Sequence, residues 1–176
     1  VPQDIEKFVT HHRANLCSLK GTVDLVCGGP PCQGFSSAGL MDPEDPRNKL
    51  FKLQLKIVEL THPKMVIIEN VKGMRSARFS KGLTYAEKIE KDLRSLGYTV
   101  QQDVVAAIKF GVPQNRERFI TFAHRLNSAK PDKSIFDILE LIRKDFLRSK
   151  GLSTEKPITA KQAISDLSKS GSTLVE

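Results

Sequence analysis

Three short stretches of this chain bring together a nucleophile, an acid and anion-binding cations. They are Gly28-Gly29-Pro30-Pro31-Cys32-Gln33-Gly34-Phe35-Ser36, Glu69-Asn70-Val71 and Gln114-Asn115-Arg116-Glu117-Arg118. Cys32 follows the hydrophobic run Val23-Asp24-Leu25-Val26-Cys27. Pro30 and Pro31 fix φ and lack backbone donors, so they stop that strand and hold the thiol at its carboxyl edge, where open α/β sheets keep their ligand sites. Cys32 is therefore a candidate nucleophile, although a lone cysteine here reads first as a half-buried thiol beside a turn. Glu69 follows the apolar residues Met65-Val66-Ile67-Ile68. A carboxylate at such an edge costs free energy unless it is paired, protonated or bonded to a ligand, and its structural alternatives are a helix cap or a surface acid. In extended backbone Gln114, Arg116 and Arg118 point one way and Asn115 and Glu117 the other. Aligned arginines clamp an anion or a carbonyl; in isolation the same segment is a surface salt-bridge ladder.

These residues need elements to position them. Val23 to Cys27 reads as a buried strand, and Leu50 to Leu60 carries apolar residues at roughly helical spacing. Thr61-His62-Pro63 breaks that pattern, and Met65-Val66-Ile67-Ile68-Glu69 has the unbroken apolar character of a parallel strand covered on both faces. The result is a β-α-β unit whose strands end at Cys32 and Glu69; if they are neighbours, thiol and carboxylate face one pocket. Tyr85 to Leu96 predicts a helix stopped by Gly97 in the left-handed conformation. Strands follow near Thr99 to Ala106 and Arg118 to Ala123 as a hairpin or neighbouring pair. Beyond them come an amphipathic helix from about Ile135 to Leu147, a charged connector over Arg148 to Lys156, a short capped helix within Thr159 to Leu167 and a loose tail. Gly34 to Asn48 reads as a mobile lid beside the nucleophile, with a surface excursion as its alternative. Val71 to Thr84 reads as a loop carrying Lys72, Arg75, Arg78 and Lys81, which either lies along phosphates or is a solvated charge run.

At 176 residues the chain suffices for one domain with a core, and 39% hydrophobic content is that of a globular protein. Its 28 Lys+Arg against 20 Asp+Glu give a net charge of +8, which suits a polyanionic partner but also an ordinary solvated basic face. No apolar run is long enough for a membrane span, and Val1-Pro2-Gln3-Asp4 lacks a signal-peptide layout, so an intracellular protein is expected. Cys17, Cys27 and Cys32 form no C-x-x-C pair, which indicates neither a disulfide framework nor a metal site.

The three stretches, in this order, resemble the motifs of the cytosine-5 DNA methyltransferases of bacterial type. Arg47-Asn48-Lys49-Leu50-Phe51 is more weakly similar, and the matches together span about residues 23 to 123. The resemblance implies an α/β, partial Rossmann-like, S-adenosylmethionine-dependent methyltransferase fold with a mixed, mostly parallel sheet. It implies S-adenosyl-L-methionine as cofactor, double-stranded DNA as partner and a place in restriction-modification. By the same resemblance, Cys32 would add to C6 of a flipped cytosine and activate C5. Glu69 would bind the N3 and amino edge, Arg118 the O2 carbonyl, and Arg116 would support the lid or a phosphate. Pro31 and Leu50 would lie near the cofactor, and Gln33 and Ser36 would contact the DNA backbone or order the lid.

The family's glycine-rich F-x-G-x-G-G turn and the acidic residue for the ribose do not occur upstream of Cys32. The expectation is therefore a partial catalytic domain over 1–157, with the start of the target-recognition region or a linker over 158–176. Such a segment belongs to a longer or split enzyme, with a second polypeptide supplying the missing motifs, or is a degenerate remnant. The cytoplasm, at the bacterial nucleoid, or a eukaryotic nucleus is the expected location. A tRNA cytosine-5 methyltransferase and a noncatalytic nucleic-acid-binding module are the competing functions. Exocyclic amino methyltransferases are disfavoured, because they carry an aromatic residue where this chain has Cys32.

Overall fold

The computed structural model describes residues 4–31, 50–126 and 133–167. In chain order the elements are α1 (Ile5–His11), α2 (Arg13–Ser18), β1 (Leu25–Gly28), α3 (Phe51–Thr61), β2 (Met65–Val71), β3 (Arg78–Ser80), β4 (Leu83–Thr84), α4 (Tyr85–Ser95), β5 (Thr99–Ala106), β6 (Glu117–His124), α5 (Ile135–Ser149) and α6 (Ala160–Ala163). They divide into two compact units: the described residues within 1–104 and 118–132, and those within 105–117 and 133–176.

The main sheet has the order β1-β2-β6-β5 and is mixed. β1 pairs parallel with β2, from Leu25 opposite Met65 to Gly28 opposite Ile68, with α3 in the crossover. β2 pairs antiparallel with β6, from Met65 opposite His124 to Val71 opposite Arg118. The antiparallel course of β6 brings its first residues to the edge where β1 and β2 end. That edge is the one at which the sequence places its chemistry.

Burial along β2 alternates. Val66, Ile68 and Asn70 are buried, while Met65, Ile67, Glu69 and Val71 are half-buried. The expectation of equal cover on both faces is thus not met among the described residues; an antiparallel neighbour and helices packed on one face give the period of a one-sided strand. The core joins Val66, Ile68, Phe119 and Ala123 of the sheet to Phe51, Leu55 and Val58 of α3 and Ala86, Ile89 and Leu93 of α4. Full burial of such side chains is worth about 1.5–3 kcal/mol each. α4 is closed as its sequence predicts: Gly97 adopts φ +87°, and the Tyr98 and Gly97 amides bond back to the Leu93 and Arg94 carbonyls.

Two parts of this unit were not foreseen. Asp4 caps α1 by accepting from the Glu6 and Lys7 amides at 3.0 and 3.1 Å, and Val9 and Leu16 pack with Leu60 of α3. These helices of seven and six residues are too short to display a helical period. The segment expected as a loop over Val71 to Thr84 instead forms a 3-10 turn at Lys72–Arg75 and the β3-β4 hairpin. Met74, which is 2% exposed, and Phe79 tie it to the core beneath its charges.

In the second unit a 3-10 turn at Ala107–Phe110 ends in Gly111, whose φ of +82° favours glycine. Ser134 and Asp137 form a capping box for α5, and Thr159 and Gln162 form one for α6. Lys109 and Arg143 both bond Glu140, at 2.8 and 3.2 Å, and the Lys109 bond chiefly holds that carboxyl below its ordinary range.

Candidate active site

Alternate residues of β2 share a face, so Glu69 and Val71 project together. Arg118 stands opposite Val71 in the ladder, one diagonal step from Glu69. Its Nε lies 2.6 Å from Glu69 Oε1, forming an ion pair whose side chains are 22% and 43% exposed. The pair answers the question the sequence raised about an acid at this edge. At that exposure it contributes about 0–1 kcal/mol to stability, so its consequence is positional: a carboxylate and a guanidinium are fixed side by side.

The chain leaving β1 passes directly alongside Glu69. A Cβ built on Gly29 would come within 2.8 Å of Glu69 Oε2, and one on Gly28 within 2.9 Å of the Gln54 amide nitrogen. Both glycines therefore allow a close approach that any side chain would obstruct. Gln54, buried on α3, donates to the Ile67 carbonyl at 3.3 Å, while its own Oε1 is buried with no partner among the described residues. One residue further on, the Pro30 carbonyl accepts a 3.0 Å bond from Asn70 Nδ2. Asn70 is 2% exposed, and its Oδ1 accepts from the Val71 amide at 2.8 Å. Asn70 thus pins the Gly29-Pro30 ribbon, two residues before Cys32 in sequence, against the end of β2.

Glu69, Arg118 and the Gly29-Pro30 ribbon are therefore brought together. Pro31 follows as an exposed residue, and Leu50 is half-buried immediately before α3. Cys32, Gln33 and Ser36 lie outside the described residues, as does the expected lid from Gly34 to Asn48. Arg116 is exposed in the second unit, where its carbonyl accepts from the Ala107 amide at 2.9 Å. The expected alternation through Gln114, Arg116 and Arg118 does not hold along its length. Amide bonds from Gln114 to Val112 and from Arg116 to Gln114 close tight turns, and extended backbone begins only at Glu117.

Nothing in the sequence alone points to a chemical task for Asn70, Gln54, Gly28 or Gly29. The glycines carried a usable signal, since two residues without side chains before two prolines mark a ribbon that must approach its neighbours closely. Asn70 and Gln54 offered none, because an amide between apolar residues does not announce whether it turns inward.

Comparison with known proteins adds the following. The family model described as C-5 cytosine-specific DNA methylase matches residues 2–173. The Type II methyltransferase M1.HphI of Haemophilus parahaemolyticus is 48% identical over 101 residues, covering 56% of this chain and 26% of its own length. The Type II methyltransferase M.AgeI of Thalassovita gelatinovora is 35% identical over 161 residues, covering 88% of this chain and 37% of its own. Among solved structures, that of the S. pombe Dnmt2 methyltransferase superposes with a TM-score of 0.50 at 25% identity, over 72% of this chain and 38% of that one. The chain thus spans between about a quarter and two-fifths of the length of these relatives.

Proposed function

Since this chain belongs to the C-5 cytosine-specific DNA methylase family, we propose that it carries the covalent half of a DNA cytosine-5 methyltransferase site. The observation that supports this most is the Glu69–Arg118 pair beside the ribbon that leads to Cys32. An ion pair with both partners partly exposed is a pre-formed donor and acceptor surface, suited to the polar edge of a base turned out of its stack.

In this reading the Cys32 thiolate adds to C6 of the flipped cytosine, forming a C–S bond and placing electron density at C5. Glu69 holds N3 and the exocyclic amino group and supports protonation at N3 as negative charge develops, while Arg118 donates to the O2 carbonyl. S-adenosyl-L-methionine supplies the electrophilic methyl group, and Pro31 and Leu50, exposed and half-buried, would form an apolar wall for it. Loss of the C5 proton then expels Cys32 and restores the ring. Gln33, Ser36 and Arg116 would hold the backbone or the lid. A second polypeptide or a further stretch of chain would complete the cofactor site, 1–157 serving as catalytic segment and 158–176 leading to target recognition. Activity inside a cell would be in the cytoplasm at the nucleoid, or in a nucleus.

The test is methyl transfer by the intact protein to duplex DNA and to transfer RNA, side by side, with Glu69→Gln and Arg118→Lys variants. The expected result is transfer to duplex DNA that falls by about 100-fold or more in either variant, the range for losing one positioned polar group in the transition state. Transfer to RNA alone, or variants as active as the parent, would reject the reading.

A further inference from the structure

Immediately after β2, the chain carries Lys72, Arg75, Arg78 and Lys81, one basic residue at every third position, and residues 71–86 contain no acid. In a 3-10 turn, residues three apart lie on one side, which aligns Lys72 with Arg75. On β3 the alternation turns Arg78 and Ser80 outward and Phe79 inward. All four cations are exposed, and Arg75, Arg78 and Lys81 make no ion pair among the described residues.

Elsewhere on the surface several basic side chains are paired, although Lys7, Arg13 and Lys20 make no ion pair among the described residues. Lys56, Lys64, Lys88, Arg94, Lys109 and Arg143 each lie against an Asp or Glu. The strip is also stiff. Met74 is buried beneath the turn, and the Phe79 ring meets Tyr85 and Phe51 edge-on, with centroids 5.2 and 6.2 Å away. Lys52 of α3 adds another cation, its Nζ 5.2 Å from the centre of the Phe79 ring. Like charges held at close spacing on a rigid support repel one another, and a polyanion relieves that repulsion. The strip begins one residue beyond Val71, the residue of β2 that stands opposite Arg118 in the ladder.

We propose that this strip, Lys72 to Lys81, is a phosphate-binding surface that tracks the backbone of duplex DNA flanking the base presented to Glu69 and Arg118. The inference rests on the DNA-directed reading above and adds to it the surface that holds the duplex. Each phosphate neutralised contributes about 0.9 to the slope of log affinity against log salt on B-form DNA.

The experiment measures binding of a fluorescent DNA duplex by anisotropy across a salt series. It compares the parent chain, Arg75→Gln/Arg78→Gln/Lys81→Gln, and a control with equal charge removed from exposed sites on and near α1 and α2, Lys7→Gln/Arg13→Gln/Lys20→Gln. The strip variant is expected to flatten the slope by about 2 to 3, the control to leave it unchanged, and Arg75→Lys/Arg78→Lys to restore the parent slope. Equal slopes for the two neutralised variants would overturn the inference, and so would a strip that responds to an RNA hairpin but not to duplex DNA. The two readings fail separately. Methyl transfer that depends on Cys32 alongside equal slopes removes only the strip, and a flattened slope in a protein that methylates nothing removes only the enzyme.

Discussion

At the scale of single residues, two adjacent glycines should behave differently although both lie in the ribbon before Cys32. An alanine at Gly29 clashes with the end of the half-exposed Glu69 side chain, which can swing aside, and meets the Glu69 carbonyl at an ordinary 3.6 Å. Gly29→Ala is therefore expected to cost under about 1 kcal/mol of stability, within the range of well-tolerated substitutions, while displacing the carboxylate and lowering turnover. At Gly28 the obstacle is the buried Gln54 amide, with three of its atoms within 3.2 Å of the added carbon. Overpacking of that kind costs about 1–3 kcal/mol, so Gly28→Ala should be the less stable protein in urea unfolding and Gly29→Ala the less active one. Asn70 carries a third expectation. Asn70→Ala removes the donor to the Pro30 carbonyl and the acceptor of the Val71 amide, and should lower unfolding free energy by about 1–3 kcal/mol.

At the scale of elements, the hairpin and α4 are joined by the Thr84 cap, whose hydroxyl accepts from the Glu87 amide at 3.2 Å while Glu87 bonds back to Thr84. The Thr84 amide first, and the Thr84 hydroxyl with it, donate to Glu87 Oε2 and hold that carboxyl below its ordinary range. Thr84→Ala should destabilise the first unit by about 1 kcal/mol in denaturant titration. A second junction ties the loop after α4 to the one before β2, where the Tyr98 hydroxyl donates to the Pro63 carbonyl at 2.6 Å. Burial pushes this phenol above its ordinary value of 10.0, against the opposing Arg125 charge. A raised folded-state value stabilises fully below the unfolded value and is lost as pH climbs through the folded one. The urea midpoint should therefore drop above about pH 10, and Tyr98→Phe should flatten that part of the profile.

How much of this was readable beforehand follows from the range of the forces involved. α4, its Gly97 stop, β2, β5 and β6 were legible because local period and backbone preference specify them, and the parallel sense of β1 and β2 followed from the helix between them, whereas their direct pairing did not. The β3-β4 hairpin was hidden because Met74 and Phe79, which hold it, are scattered among more conspicuous charges. The Glu69–Arg118 contact depends on the register between strands distant in sequence. That Glu69 and Arg118 converge at one edge was expected, but their direct ion pair was not legible, and neither was the inward turn of Asn70.

At the scale of the whole molecule, three elements converge on one edge of the sheet. The end of β1 delivers a ribbon toward Cys32, the end of β2 delivers Glu69, and the antiparallel start of β6 delivers Arg118 to the same place. The most direct test of the central claim is covalent capture: incubate the intact protein with methyl donor and duplex DNA containing 5-fluorocytosine, then locate the adduct by digestion and mass spectrometry. Fluorine at C5 blocks the final deprotonation, so the account expects a stable protein–DNA species linked through Cys32, absent in Cys32→Ser. Methylation of ordinary duplex DNA without any adduct, or an adduct on Cys17 or Cys27, would contradict it.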